Sequence, residues 1–121
     1  RGNPDVLQLF GHVTQGEVAV TDLVVSPVTI GQELQFSFQV NSSVEQRLRL
    51  EYAIDYVKQR GTSRKVFQLR EREVKGVLQV ERRQSFRNMT TRVHYPGTHN
   101  LTILINGEAY ATATFEVEEE S

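Results

Sequence analysis

Residues 48–69 read LRLEYAIDYVKQRGTSRKVFQL, and they decide the fold. Apolar side chains occupy every second position from Leu48 to Tyr56, with mostly charged residues between them. This two-residue period is typical of a β-strand with one buried and one wet face, whereas a helix needs apolar positions three and four apart. A return strand resumes at Val66. The stretch predicts a hairpin whose turn, residues 58–65, carries cations and no anion: Lys58, Arg60, Arg64 and Lys65.

Composition sets the class of protein. The chain has 121 residues, of which 38% are hydrophobic and 24% charged, which fits one soluble globular domain. No apolar run approaches the roughly 18 residues of a membrane span, so no membrane association is expected. The absence of cysteine excludes disulfides, thiolate metal sites and cysteine nucleophiles, and it favours a cytoplasmic setting. Because the chain starts at Arg1, we interpret it as part of a longer protein.

The rest of the chain predicts short strands joined by turns. Leu34 to Val40 alternate cleanly, residues 41–43 end that strand, and residues 75–76 form another turn. A switch of apolar parity between Val20 and Leu23 indicates a bulge or a strand crossing between sheets. Asn106-Gly107 is the strongest hairpin signal, since a type I′ turn needs positive φ at both central residues.

These signals predict an all-β fold, an Ig-like or fibronectin-type antiparallel β-sandwich of about seven or eight strands without a disulfide. Phe38, Tyr52 and Leu101 have the spacing of core residues in such a sandwich. Residues 97–101 match the layout of its corner motif, although His99 and Leu101 replace the usual tyrosine and cysteine. We expect residues 1–14 to be a connector with a short helical turn, and residues 15–121 to be the sandwich domain.

Charge is divided unevenly along the chain. Residues 45–92 hold 13 Lys and Arg against 6 Asp and Glu, a net charge of +7, and the remainder holds 1 against 9, a net charge of −8. The middle strands could simply show charged side chains on a solvated face, or they could form a basic surface for a polyanion. In the second case the candidate DNA-binding residues are Lys58, Arg60, Arg64, Lys65, Arg82, Arg83, Arg87, Thr90, Thr91 and Arg92. Such contacts to phosphates would be independent of base sequence.

No catalytic, metal or cofactor site is expected. His12, His94 and His99 are the only histidines, and no neighbouring carboxylate completes a metal site for the last two. Ser85, His94 and Asp55 can be written as a triad, but nothing near Ser85 resembles a nucleophile elbow. The sequence also lacks a glycine-rich phosphate loop and zinc-binding spacings.

An ordered set of segments carries a family resemblance over nearly the whole chain. It comprises LEYAIDYVK at 50–58, KVF at 65–67, SF at 85–86 with TTR at 90–92, YPGTH at 95–99 and ING at 105–107. These segments are similar to the C-terminal region of bacterial DNA alkylation repair proteins of the AlkC type, relatives of the HEAT-like repeat alkylpurine glycosylases. NPDVLQLFG at 3–11 resembles the connector that follows the helical repeats in that family.

The resemblance implies an Ig-like accessory domain of a bacterial, cytoplasmic repair protein. Its partners would be double-stranded DNA, held through the phosphate backbone, and the upstream helical-repeat catalytic domain of the same chain. That upstream domain carries the catalytic carboxylate in the family, so this fragment is not expected to be an enzyme by itself. The alternative is a protein-interaction or adhesion module of the same fold, in which case the sequons at Asn41, Asn88 and Asn100 would carry glycan if the host secretes it.

Overall fold

A computed structural model describes residues 17–120 of the chain. The expected connector, residues 1–14, and His12 lie outside this range. Within it the secondary structure is entirely β, which confirms the predicted class, and it holds no helix that is long and apolar enough to cross a membrane. The strands are β1 (Val18–Val25), β2 (Val28–Thr29), β3 (Glu33–Val57), β4 (Thr62–Ser85), β5 (Gly97–Ile105) and β6 (Glu108–Glu118).

Two very long strands replace four of the expected short ones. β3 and β4 form one antiparallel hairpin that pairs from Glu33 with Ser85 at its open end to Val57 with Thr62 at its tip. The predicted strand end at residues 41–43 and the predicted turn at residues 75–76 are wrong. At that level the hairpin has a register shift and then continues, because the unpaired residues 43–45 form a bulge opposite Lys75. The described residues therefore contain six strands rather than seven or eight.

The bulge divides β3 into two halves with different neighbours. The first half pairs with β1 and the second half pairs with β5, both on the edge of β3 that faces away from β4. β6 continues the ladder from β5, and the short β2 joins β6 in parallel. The predicted bulge in β1 is confirmed by a register shift between Thr21 and Val24, where Asp22 has φ of 59°.

The hydrophobic core lies between the two halves of the hairpin. Phe36 of the first half meets Tyr52 of the second half edge to face, with ring centroids 4.9 Å apart. Phe38, Tyr52 and Leu101 are all buried, as their spacing predicted. An edge-to-face aromatic contact adds to the free energy gained from burying the rings, so Phe36 and Tyr52 help to hold the hairpin in its bent form.

The turn at Asn106-Gly107 is confirmed. Both residues have positive φ, 52° and 85°, and they join the paired residues Ile105 and Glu108. Asn106 also bonds to β3: its backbone N–H donates to the Arg49 carbonyl and its side-chain Oδ1 accepts from the Arg49 N–H, each at 3.0 Å. The β5–β6 turn is therefore fastened to the middle of the long hairpin.

Replacing Leu48 by Ala tests whether the β3 side chain just beyond the bulge packs in the core. Leu48 is fully buried, so the variant should lose about 2–5 kcal/mol of unfolding free energy through lost burial and cavity formation. Urea denaturation followed by circular dichroism measures the change. Val77→Ala is the control, because Val77 lies on β4 with 63% of its surface exposed and should shift stability by less than about 0.5 kcal/mol. Equal effects of the two substitutions would contradict this packing.

Candidate nucleic-acid interface

The tip of the β3–β4 hairpin is a tight turn of four residues, 58–61, rather than the eight predicted. The Lys58 N–H donates to the Gly61 carbonyl at 3.0 Å, and Gly61 has φ of 72°, which glycine adopts without steric cost. Since Val57 pairs with Thr62, strand geometry resumes at once. Arg64 and Lys65 consequently lie on β4, where their side chains point to opposite faces.

Four of the candidate cations surround a recess beside this tip. Its volume is about 260 Å³, and it is lined by Tyr56, Lys58, Ser63, Arg64, Lys65 and Arg92. Three of the cations come from the hairpin, and Arg92 comes from the loop between β4 and β5. Cations from the hairpin and from the β4–β5 loop thus meet at one place, although some thirty residues separate them along the chain.

Backbone bonds in the β4–β5 loop place Arg92 at the recess. Met89 and Arg92 exchange two backbone hydrogen bonds, of 2.8 and 3.1 Å, and so close a tight turn. The Asn88 side chain accepts from the His94 N–H at 2.7 Å, which anchors the other side of that turn. Arg92 Cζ then lies 5.7 Å from the centroid of the Tyr56 ring, and Lys58 Nζ lies 5.8 Å from it. Both distances suit cation–π attraction.

Tyr56 forms the floor of the recess. It is 4% exposed, and its hydroxyl has no hydrogen-bond partner among residues 17–120. Burial raises the pKa of Tyr56 to about 12, an effect that the charge of the nearby Arg92 partly offsets. At neutral pH the phenol is therefore protonated, and the positive charge at the recess is not reduced by a phenolate.

An aromatic cluster supports the floor from below. Tyr56 contacts His94 and His99, and Phe86 packs against both histidines and Phe115, with ring centroids between 4.7 and 5.9 Å apart. Burial, followed by the charges of Arg92 and Lys58, lowers the pKa of His94 to about 4. His94 is therefore neutral at physiological pH, and its ring packs as an aromatic side chain.

His99 has a structural role at the start of β5. Its Nε2 accepts from the Val57 N–H at 3.4 Å, and its Nδ1 donates to the Gly97 carbonyl at 3.2 Å. Burial lowers the pKa of His99 as well, which favours the neutral ring that can both accept and donate. The residue that replaces the corner tyrosine thus ties β5 to the end of β3.

The residues of the conceivable triad have other partners. Asp55 accepts from the Arg64 guanidinium at 2.8 and 3.1 Å, and this pairing lowers the pKa of Asp55. Ser85 Oγ accepts from the Arg87 N–H at 3.2 Å. No cluster of three or more His, Cys, Asp or Glu suited to a metal ion occurs in the described part of the chain.

The remaining candidate cations do not all gather at the recess. Arg83 faces Glu33 at 3.7 Å, and the Arg82 guanidinium donates to the Gln68 carbonyl at 2.9 Å. Both line a separate, wider depression of about 750 Å³ near the end of β1. Four other candidates are exposed, one on the turn and three on the β4–β5 loop: Arg60, Arg87, Thr90 and Thr91.

The acidic C-terminal tail ends near one of these loops. The Glu120 carboxylate lies against Gly31, about 3.4 Å from the position that a β-carbon would take. The Gly31 N–H in turn donates to the carbonyl of Phe86, the residue before Arg87, at 2.9 Å. The Glu120 carboxylate therefore lies beside the backbone that is hydrogen-bonded to the start of the β4–β5 loop.

Three comparisons relate the chain to known proteins. The family described as "Uncharacterised protein YhaZ, C-terminal Ig-like domain" matches residues 17–119. The uncharacterized protein YhaZ of Bacillus subtilis (strain 168) is 39% identical over 122 residues, covering 97% of this chain and 34% of that protein. The structure of Pseudomonas fluorescens alkylpurine DNA glycosylase AlkC bound to DNA containing an abasic site analog is 39% identical with a TM-score of 0.80, covering 84% of this chain and 30% of that one. The chain thus spans about a third of these relatives.

More distant structures share the fold alone. β-Glucosidase 3B from Thermotoga neapolitana in complex with glucose aligns with a TM-score of 0.64 and 15% identity, covering 86% of this chain and 16% of that enzyme. The low identity and the small share of the enzyme that aligns carry no information about ligand or activity.

Stability should fall in acid because of the buried histidines. His94 binds a proton at about pH 4 when folded and near pH 6.5 when unfolded, so the unfolded state gains protons first as the pH falls. Its contribution of about 3 kcal/mol is complete above pH 6.5 and disappears progressively toward pH 4. Urea unfolding across this range measures the loss, and His94→Gln should flatten the profile. An NMR titration midpoint of the His94 ring near 6.5 would contradict the prediction.

Proposed function

This chain belongs to the family of YhaZ C-terminal Ig-like domains, and from its similarity to the DNA-bound glycosylase AlkC we propose that it is a noncatalytic accessory domain of a DNA alkylation repair protein. Its task is to help hold duplex DNA through the phosphate backbone, without reading the base sequence. The observation that carries the proposal is the recess at the hairpin tip, where cations from two separate loops meet over a rigid aromatic floor.

The balance of charge at the recess supports a phosphate as its ligand. Of the four cations, only Arg64 has a carboxylate partner within 4 Å among the described residues. Lys58, Lys65 and Arg92 have no carboxylate within that distance there, and the hydroxyl of Ser63 lies beside them as a further hydrogen-bond donor. A phosphodiester oxygen accepts from such donors and releases condensed counterions when it is neutralised, which favours association at low salt.

Rigidity also favours this assignment. Backbone hydrogen bonds within its own turn fix the position of the Arg92 backbone. The Lys58 backbone is fixed in the same way, because it directly follows a paired strand. Cations that are already placed lose less conformational entropy on binding than cations on a free loop. Thr90 and Thr91 lie in the same turn as Arg92, and Arg60 occupies the exposed tip, so they are secondary contacts in this proposal.

The catalytic chemistry is assigned to the rest of a longer protein. The related glycosylase structure is bound to DNA containing an abasic site analog, and this chain corresponds to less than a third of it. We propose that a helical-repeat domain elsewhere in the same polypeptide binds the lesion, while this domain contacts the duplex from another side. Tethering raises the effective concentration of the second contact, so weak affinity of this domain is sufficient. The site of action is then the bacterial cytoplasm.

Removing charge at the recess should weaken duplex binding in a salt-dependent way. We expect Lys58→Gln combined with Arg92→Gln to reduce the slope of log affinity against log salt by about two, because two phosphate contacts are lost. Fluorescence anisotropy with a labelled duplex measures the slope, and two duplexes of unrelated sequence should give the same loss. The same substitutions should raise the pKa of His94, since both cations lower it.

Arg47→Gln combined with Arg49→Gln is the matched control. It removes the same net charge, but both arginines lie within ion-pair distance of glutamates, at 3.1 and 3.6 Å. We expect it to change the slope by less than half as much as the recess variant. Binding that is insensitive to salt, or that is equally weakened by both variants, would contradict backbone contact at the recess.

A further inference from the structure

The register of the β3–β4 hairpin sorts its charged side chains onto two faces. Residues that pair directly across an antiparallel ladder project to the same face. The acidic residues Glu71 and Glu73 pair with Arg49 and Arg47, which lie on the outer face. Arg64 pairs with Asp55 on that same face. The outer face therefore places acidic and basic side chains opposite one another.

The distances confirm that the outer cations are compensated. Arg47 lies 3.1 Å from Glu71, and Arg64 lies 2.8 Å from Asp55. Arg49 is 3.6 Å from Glu51 on the same strand. The carboxylates beside these cations offset their attraction for a phosphate, so this face is a poor surface for DNA.

The inner face of β4 has cations of a different kind. Arg70 and Arg72 pair with Leu50 and Leu48, both fully buried, so the two arginines project toward the core side of the sheet. They are exposed nonetheless, because β4 is an edge strand that pairs with β3 alone in the described residues. Inner-face positions of β4 hold no Asp or Glu: they are Ser63, Lys65, Phe67, Arg70, Arg72, Val74, Leu78, Val80, Arg82 and Gln84.

The inner-face cations have no carboxylate partner within ion-pair distance between residues 17 and 120. Arg72 uses one donor on the Glu73 carbonyl, at 3.1 Å, and Arg70 makes no side-chain hydrogen bond there. Lys65 belongs to the same face and also lines the recess at the tip. Arg70 and Arg72 thus continue, along the free edge of β4, the positive charge that begins at the recess.

We propose that duplex DNA lies along this free edge, with its phosphate backbone following Lys65, Arg70 and Arg72 away from the tip. The proposal rests on the function assigned above and extends the DNA contact from the recess to a row of cations along β4. We call this row, Lys65, Arg70 and Arg72, the track. Residues 70 and 72 are about 6.7 Å apart along β4. Two successive steps along one DNA strand advance its phosphates by about the same distance along the helix axis. One backbone can therefore meet both guanidinium groups.

The track adds residues that the charge clusters in the sequence did not single out, and it removes others. Arg64 and Arg83 were candidates, but each has a carboxylate partner on the outer face. Arg82 projects from the inner face, yet its guanidinium already joins the two halves of β4 through the Gln68 carbonyl. In this proposal Arg82 stabilises the conformation of β4 and does not contact DNA.

The test compares two charge-matched variants on the same hairpin. Arg70→Gln with Arg72→Gln removes the inner pair, and Arg47→Gln with Arg49→Gln removes the outer pair of the adjacent rungs. We expect the inner variant to bind a short duplex at least about fivefold more weakly at low salt, with a log–log salt slope smaller by about two. The outer variant should retain most of the affinity, and the urea unfolding midpoint of each variant verifies that it is folded.

Several outcomes overturn the track, and they differ from failure of the proposed function. If the recess variant loses affinity while the inner variant does not, DNA touches the tip alone. If the inner variant keeps its affinity but self-associates in sedimentation, the two arginines protect an edge strand against pairing with another copy. If the unaltered chain shows no salt-dependent binding to any duplex, the proposed function fails together with the track.

Discussion

The ladder between β3 and β4, which continues through register shifts at Ser42/Gln46 and Leu50/Glu51, is the constraint on which the rest of the structure depends. The 25-residue strand β3 pairs with β1 at one end and with β5 at the other. A shift of one residue in that ladder would move every side chain beyond it to the opposite face. Core, ion pairs and free cations are all set by the same register.

The sequence predicted what depends on local patterns. Alternation around Tyr52, the bulge near Thr21 and the turn at Asn106 follow from side-chain period and from which residues tolerate positive φ, and all three are present in the structure. The predicted end of the strand at residues 41–43 was wrong, because Asn41 and Ser42 stay paired and the chain forms a bulge at residues 43–45 instead of a turn. Which of the two forms depends on the partner strand, and here the partner continues.

The candidate site was only partly predictable for a related reason. Clustering along the chain found Lys58 and Arg92, but it could not show that Arg64 is neutralised by Asp55 across the ladder. It also passed over Arg70 and Arg72, since in sequence they alternate with Glu71 and Glu73 and appear balanced. Only the pairing of strands separates those opposite charges onto different faces. Net charge over a window is a poor guide when the window is a β-strand.

The unbroken course of β3 also has a mechanical consequence. A load applied at the hairpin tip passes to β1 through one covalent strand, which is hydrogen-bonded to β4 on both sides of the bulge at residues 43–45. A change in the relative orientation of the two halves would have to occur at those three residues, and the packing of Phe36 against Tyr52 opposes it.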